Sequence, residues 1–108
     1  MIKVQLWENK RFFQANEGLE NPIIGLLRES TFDNFKYLKD TIKIAGPSRT
    51  FVSFPVNVFN SNILALAYRE VHWADTEYEK DLWQKLIDDF DTHKFDNYKD
   101  RIVVIKEI

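Results

Sequence analysis

The chain has 108 residues, 30% of them charged, with a formal net charge of −2 and no cysteine. This length means one domain. The missing cysteine excludes disulfides, thiolate catalysis and Cys-ligated metals. The near-neutral balance, with no basic run or basic face, argues against a nucleic-acid partner. No segment approaches a membrane-spanning length, and the N-terminal MIKVQLWENKRFF has no apolar signal core, so no membrane partner and a cytoplasmic location are expected. Nine Phe, four Tyr and three Trp supply enough apolar surface for a core and for a pocket or subunit contact.

Residues Ile2–Trp7 alternate, with Ile2, Val4 and Leu6 on one side and Lys3 and Gln5 on the other. That is the pattern of a half-buried strand. Glu8–Arg11 reads as a turn, Phe12–Phe13 as the start of a short extension, and Ala15–Pro22 as loop. Ile23–Leu27 is a short apolar run compatible with either strand or helix. Thr31 fits an N-cap for a helix reaching about Ile44, on which Phe32, Phe35, Leu38 and Ile42 recur at helical spacing. Gly46–Pro47 stops it.

Phe51–Phe59 alternates again, and Pro55 within it points to an edge strand or a bulge. Asn60–Ser61–Asn62 is a turn signal, so 51–59 and 62–72 are expected to form a hairpin. Thr76 with Glu79 fits a capping box for a second helix to Phe90, with Tyr78, Leu82, Trp83, Leu86, Ile87 and Phe90 as its apolar stripe. Asp91–Asp100 is polar, and Arg101–Ile108 closes as a strand. The order β-α-β-β-α-β predicts an α+β fold, a ferredoxin-like plait: a four-stranded antiparallel sheet with two helices on one face.

Within this frame the junction Tyr68-Arg69-Glu70-Val71-His72-Trp73 carries the candidate chemistry. If Leu64, Leu66 and Tyr68 face the core of a strand, Glu70 and His72 follow on the same side, because strand side chains alternate. A phenol, a carboxylate and an imidazole then stand in one row, with His72 as general base and Glu70 as its acidic partner. If Ile63, Ala65 and Ala67 face the helices instead, the row lies on the other sheet face, at a dimer interface. His72 at a strand end is also consistent with simple exposure, and His93 with an exposed loop. The two histidines are too far apart for metal spacing, and no cofactor is expected. Asp88, Asp89 and Asp91 read as a solvated helix end. Trp7, Trp73 and Trp83 serve either a core or an aromatic pocket. No phosphate loop, nucleophile elbow or Walker pattern is present.

In element order, and in the run from Tyr68 to Glu77, the chain resembles the dimeric α+β barrel proteins of the antibiotic biosynthesis monooxygenase type. The resemblance implies a homodimer packed sheet against sheet, and a pocket for an apolar or aromatic small molecule. It also implies oxygenase chemistry that needs no metal or flavin. In haem-degrading relatives an Asn after the first strand and a Trp ending the third line the site, and Asn9 and Trp73 match those positions. Their haem-ligating His on the second helix has no counterpart, since residues 77–90 contain no histidine. Tyr68, Trp73, Asn9 and Trp83 are the expected ligand-binding residues. The alternative function is a non-catalytic interaction protein, such as an inhibitor, an immunity protein or a phage accessory factor.

Overall fold

The computed structural model of the chain describes residues 1–17, 24–91 and 99–108. Four strands make one antiparallel sheet: β1 Ile2–Trp7, β2 Leu26–Phe32, β3 Phe51–Pro55 and β4 Ile102–Glu107, in the spatial order β2-β1-β4-β3. The helices are α1 Lys10–Ala15, α2 Lys36–Ile44, α3 Val56–Phe59, α4 Ala65–Trp73 and α5 Glu77–Phe90, with a π-helical turn Asn60–Leu64 joining α3 to α4. The α+β class and the four-stranded antiparallel sheet are as expected. The strand order is not that of the plait, because one expected strand is a helix and an unassigned segment is a strand.

The strand expected at 62–72, and its hairpin with 51–59, are replaced by helix. Ile63, Leu64 and Ala67 are buried, while Val71 and Ala74 pack on the same core. Those positions follow a helical repeat and not a strand alternation. The polar Asn60–Ser61–Asn62 is not a turn. Its π-helical winding, five residues to the hydrogen-bonded ring instead of four, lets Phe59, Ile63 and Leu64 all face inward. Ser61 Oγ donates to the Asn57 and Val58 carbonyls at 2.9 and 3.3 Å, so its hydroxyl is satisfied within the helix.

The sheet position left open is filled by β2. Thr31 is therefore no cap: it pairs with Lys3 in the sheet, and Phe32 is a buried strand residue. The helix that follows starts at Lys36 and keeps the expected inward Phe35, Leu38 and Ile42. Pro55 ends β3, an edge strand, and the chain turns directly into α3. Thr76 Oγ1 accepts from the Glu79 amide at 3.2 Å, the cap expected for α5. On that helix Trp83, Leu86, Ile87 and Phe90 are buried, whereas Tyr78 is exposed.

Helices cover both sides of the sheet, not one. Ile2, Val4, Leu6, Val103 and Ile105 pack against α2 to α5 in the main core. On the reverse face Trp7, Ile102 and Val104 meet Phe13 of α1, with the Trp7 and Phe13 rings 5.6 Å apart edge to face. Beside that cluster the reverse face turns polar, with Lys3 3.7 Å from Glu29 across the strands. The reverse face, on which the expected sheet-to-sheet dimer would pack, thus carries α1 and charged side chains.

Gln5 links the two parts of that face. It is 1% exposed, accepts the Trp7 indole N–H at 3.0 Å and donates to Glu29 at 2.6 Å. Gln5→Leu keeps the side-chain bulk but leaves the indole N–H buried without its acceptor. The variant is expected to lose about 1–3 kcal/mol, read as a lower midpoint in chemical denaturation.

Candidate functional site

A cleft of about 250 Å³ opens where α2, α4 and α5 converge. The turn into α2 supplies Asn34, Phe35, Lys36 and Tyr37; α4 supplies Glu70; α5 supplies Tyr78, Glu79, Leu82 and Trp83. Asn34 has φ +56, the left-handed conformation that Asn tolerates better than most residues. That one residue turns the chain from β2 into α2 and brings Phe35 and Tyr37 onto the indole of Trp83.

The walls are aromatic and ordered by packing. Phe35 stands edge-on to Trp83 at 4.8 Å, and Tyr37 is tilted against it at 5.0 Å. Phe35 and Trp83 are buried at 4% and 6% exposure, so these rings belong at once to the core and to the cleft. Tyr78 is exposed, and its hydroxyl donates to the Asp33 carbonyl at 2.8 Å, tying the first turn of α5 to the turn before α2. Three charged side chains border the space. Lys36 Nζ reaches Asp40 at 2.7 Å, one helical turn on, and this hydrogen bond holds the Asp40 carboxyl below its ordinary range. Glu70 and Glu79 have no carboxylate partner among the described residues.

Of the residues singled out from the sequence, Glu70 and Trp83 meet at this cleft, reached from different helices. The row of Tyr68, Glu70 and His72 does not form. On a helix, residues two apart diverge by about 200°, so Glu70 turns toward α2 and α5 while Tyr68 and His72 lie on an outer face. His72 is exposed. Tyr68 is exposed and donates to Asp91 at 2.7 Å; that hydrogen bond first, then partial burial, raises its phenol above the ordinary value. Trp73 ends α4 and is 78% exposed. Asn9 caps α1, its side-chain oxygen accepting the Phe12 amide at 3.0 Å.

The acidic trio at the end of α5 is put to structural use. Asp89 accepts from Ser30 at 2.5 Å and, through its carbonyl, from Arg28 at 2.6 Å, fastening α5 to β2. Asp88 accepts from Gln84. Lys85, on the same helix, donates to the Thr31 carbonyl and lies 4.7 Å from the centre of the Phe32 ring. His93 lies outside the described residues.

The sequence reading missed Asn34, Phe35, Tyr37, Tyr78, Leu82 and Glu79 as pocket residues. The aromatic spacing in Phe35-Lys36-Tyr37 and Tyr78…Trp83 was visible, but only the meeting of α2 with α5 makes it concave. Among the described residues no group of three His, Asp or Glu could hold a metal ion, and no helix is long and apolar enough to cross a membrane. Comparison with models of protein families, with curated proteins and with solved structures found no match to this chain.

Proposed function

We propose that the protein is a small binding domain whose cleft between α2 and α5 receives a ligand with an aromatic or apolar body. One observation carries the reading: Trp83, held edge to face by Phe35 and tilted against Tyr37, presents a fixed aromatic wall to an open space of about 250 Å³. Pockets for small molecules are typically apolar and aromatic with a few placed polar groups. The volume lies a little below the range usual for drug-sized ligands, which suits a fragment or a single protruding group.

Binding is favoured here over turnover. The Tyr68–His72 row that gave the oxygenase reading its chemistry depended on a strand, and these residues are helical. The homodimeric barrel loses its support for the same reason, together with the covering of the reverse sheet face by α1. Trp83, expected to bind the ligand, lines the cleft, and Glu70, expected as a catalytic acid, lines it too and is read here as a ligand contact; His72 stands on the opposite side of α4.

Three tryptophans make the test simple, since each contributes one indole N–H signal to a nitrogen–proton correlation spectrum. Titration with a panel of fragment-sized aromatic compounds, neutral and charged, should move the Trp83 signal and leave that of Trp7. Single Trp→Phe variants assign the signals. A panel in which no compound moves Trp83 would remove this reading.

The non-catalytic interaction protein remains as the second reading. It is favoured by Trp73, 78% exposed at the end of α4, because Trp is enriched among the residues that dominate protein interfaces.

A further inference from the structure

Building on the binding reading above, we infer that the cleft selects ligands carrying an organic cation, an alkylammonium or guanidinium group, between Glu70, Glu79 and the aromatic wall. The charge distribution points that way. Glu70 and Glu79 border the space from different helices, and neither carboxylate has a hydrogen-bond or ion-pair partner among the described residues. The cation that lines the same space, Lys36, is drawn to Asp40 at 2.7 Å.

Glu79 has an ordinary local role, since an acid in the first turn of α5 complements the positive end of that helix. Glu70 has none. It stands in the last turn of α4, Ala65–Trp73, where the helix end is itself negative and a carboxylate is locally unfavourable. It is half-buried and turned toward the cleft. A bound cation offsets both charges at once.

The rings add to the same preference. The faces of Trp and Tyr are electron-rich and attract ammonium and guanidinium groups within about 6 Å of the ring centre. Trp83, Tyr37 and Tyr78 surround a space of about 250 Å³. Aromatic rings and two carboxylates lining one small space suit a small, weakly hydrated cation. Bare metal ions, which need converging oxygen ligands, fit it poorly.

The experiment compares matched probes on the full chain. Phenethylammonium and its neutral isostere 2-phenylethanol are titrated against the Trp83 indole signal and the Glu70 amide. The cation is expected to bind about tenfold more tightly. Glu70→Gln should erase most of that preference while the remaining amide signals report an intact fold; Glu79→Gln is a second, surface-exposed variant expected to weaken it less. Equal binding of the two probes in the wild-type chain overturns the inference and leaves the binding domain standing. Failure of every aromatic probe overturns both. A further arm separates the sources of such a cation: N-acetyl-arginine amide is compared with N-acetyl-citrulline amide, its neutral counterpart. Tighter binding of capped arginine than of phenethylammonium indicates a protein side chain as the natural occupant, and the reverse order indicates a free amine.

Discussion

Trp83→Ala is expected to lower the stability of the fold by about 3–5 kcal/mol, the usual cost of removing a buried indole. Trp83 is 6% exposed on the inner face of α5, with Phe35 at 4.8 Å and Tyr37 at 5.0 Å. Those rings come from the cap and the first turn of α2, so the indole is the packing element that holds α2 to α5. Its loss leaves a void that the two neighbouring rings cannot fill without breaking their own contacts. A denaturation curve with a markedly lower midpoint is the expected result. Trp83→Phe should cost much less, because a smaller ring still packs edge to face. Equal midpoints for Trp83→Ala and the wild type would show that the α2–α5 seam is held by other side chains.

Gly25→Ala should be nearly as damaging, about 2–4 kcal/mol, although it adds only one methyl group. Gly25 has φ +89, a backbone conformation that an L side chain resists. A methyl group at that position also overlaps Cβ and Cγ of Phe12, on α1. Gly25 accepts the Glu8 amide at 2.8 Å, so it cannot swing away without releasing the start of β2 from β1. The two costs are separable. In the double variant Phe12→Gly/Gly25→Ala the steric overlap is gone, because glycine removes the Cβ of position 12 as well as its ring, and the backbone penalty remains. Coupling in a double-mutant cycle measures the overlap, and strict additivity would show that it is relieved in some other way.

The elements with one strong local signal were legible in the sequence. Strict alternation placed β1, the run Arg101–Ile108 contains β4, and the cap at Thr76 with its apolar stripe placed α5. β2 escaped because its helix-covered face is mixed, with Phe32 as its only large apolar residue among Arg28, Ser30 and Phe32. Arg28 and Ser30 sit on that face, and their partner is Asp89, about sixty residues away. A strand whose inward residues are satisfied by a distant helix shows no alternation of its own. The segment 62–72 failed for the opposite reason. Ile63, Leu64, Leu66 and Ala67 supply apolar residues at both odd and even positions, so either period can be laid over them. Helix-favouring Ala, Leu, Arg and Glu were the better guide, but the polar Asn60–Ser61–Asn62 resembled a turn. Two of the six candidate site residues, Glu70 and Trp83, reached the cleft, and they did so by a different geometry from the one expected. A concavity made by three helices leaves no continuous mark in any one of them.

The register of the central strands has a kinetic consequence. Ile2 lies opposite Glu107, and Ile108 donates to the Met1 carbonyl at 3.0 Å. The middle of the sheet is therefore stitched from segments about 100 residues apart, whereas β1 with β2, and β3 with β4, close much shorter loops. Closing the longest loop costs the most chain entropy and rewards it only at the end. Two half-sheets, β2-β1 and β4-β3, are able to organise first, and zipping β1 to β4 is the step that commits the chain. The main core spans that seam, with Val4 on one side and Ile105 on the other, so the hydrophobic interior becomes continuous only when the two halves meet.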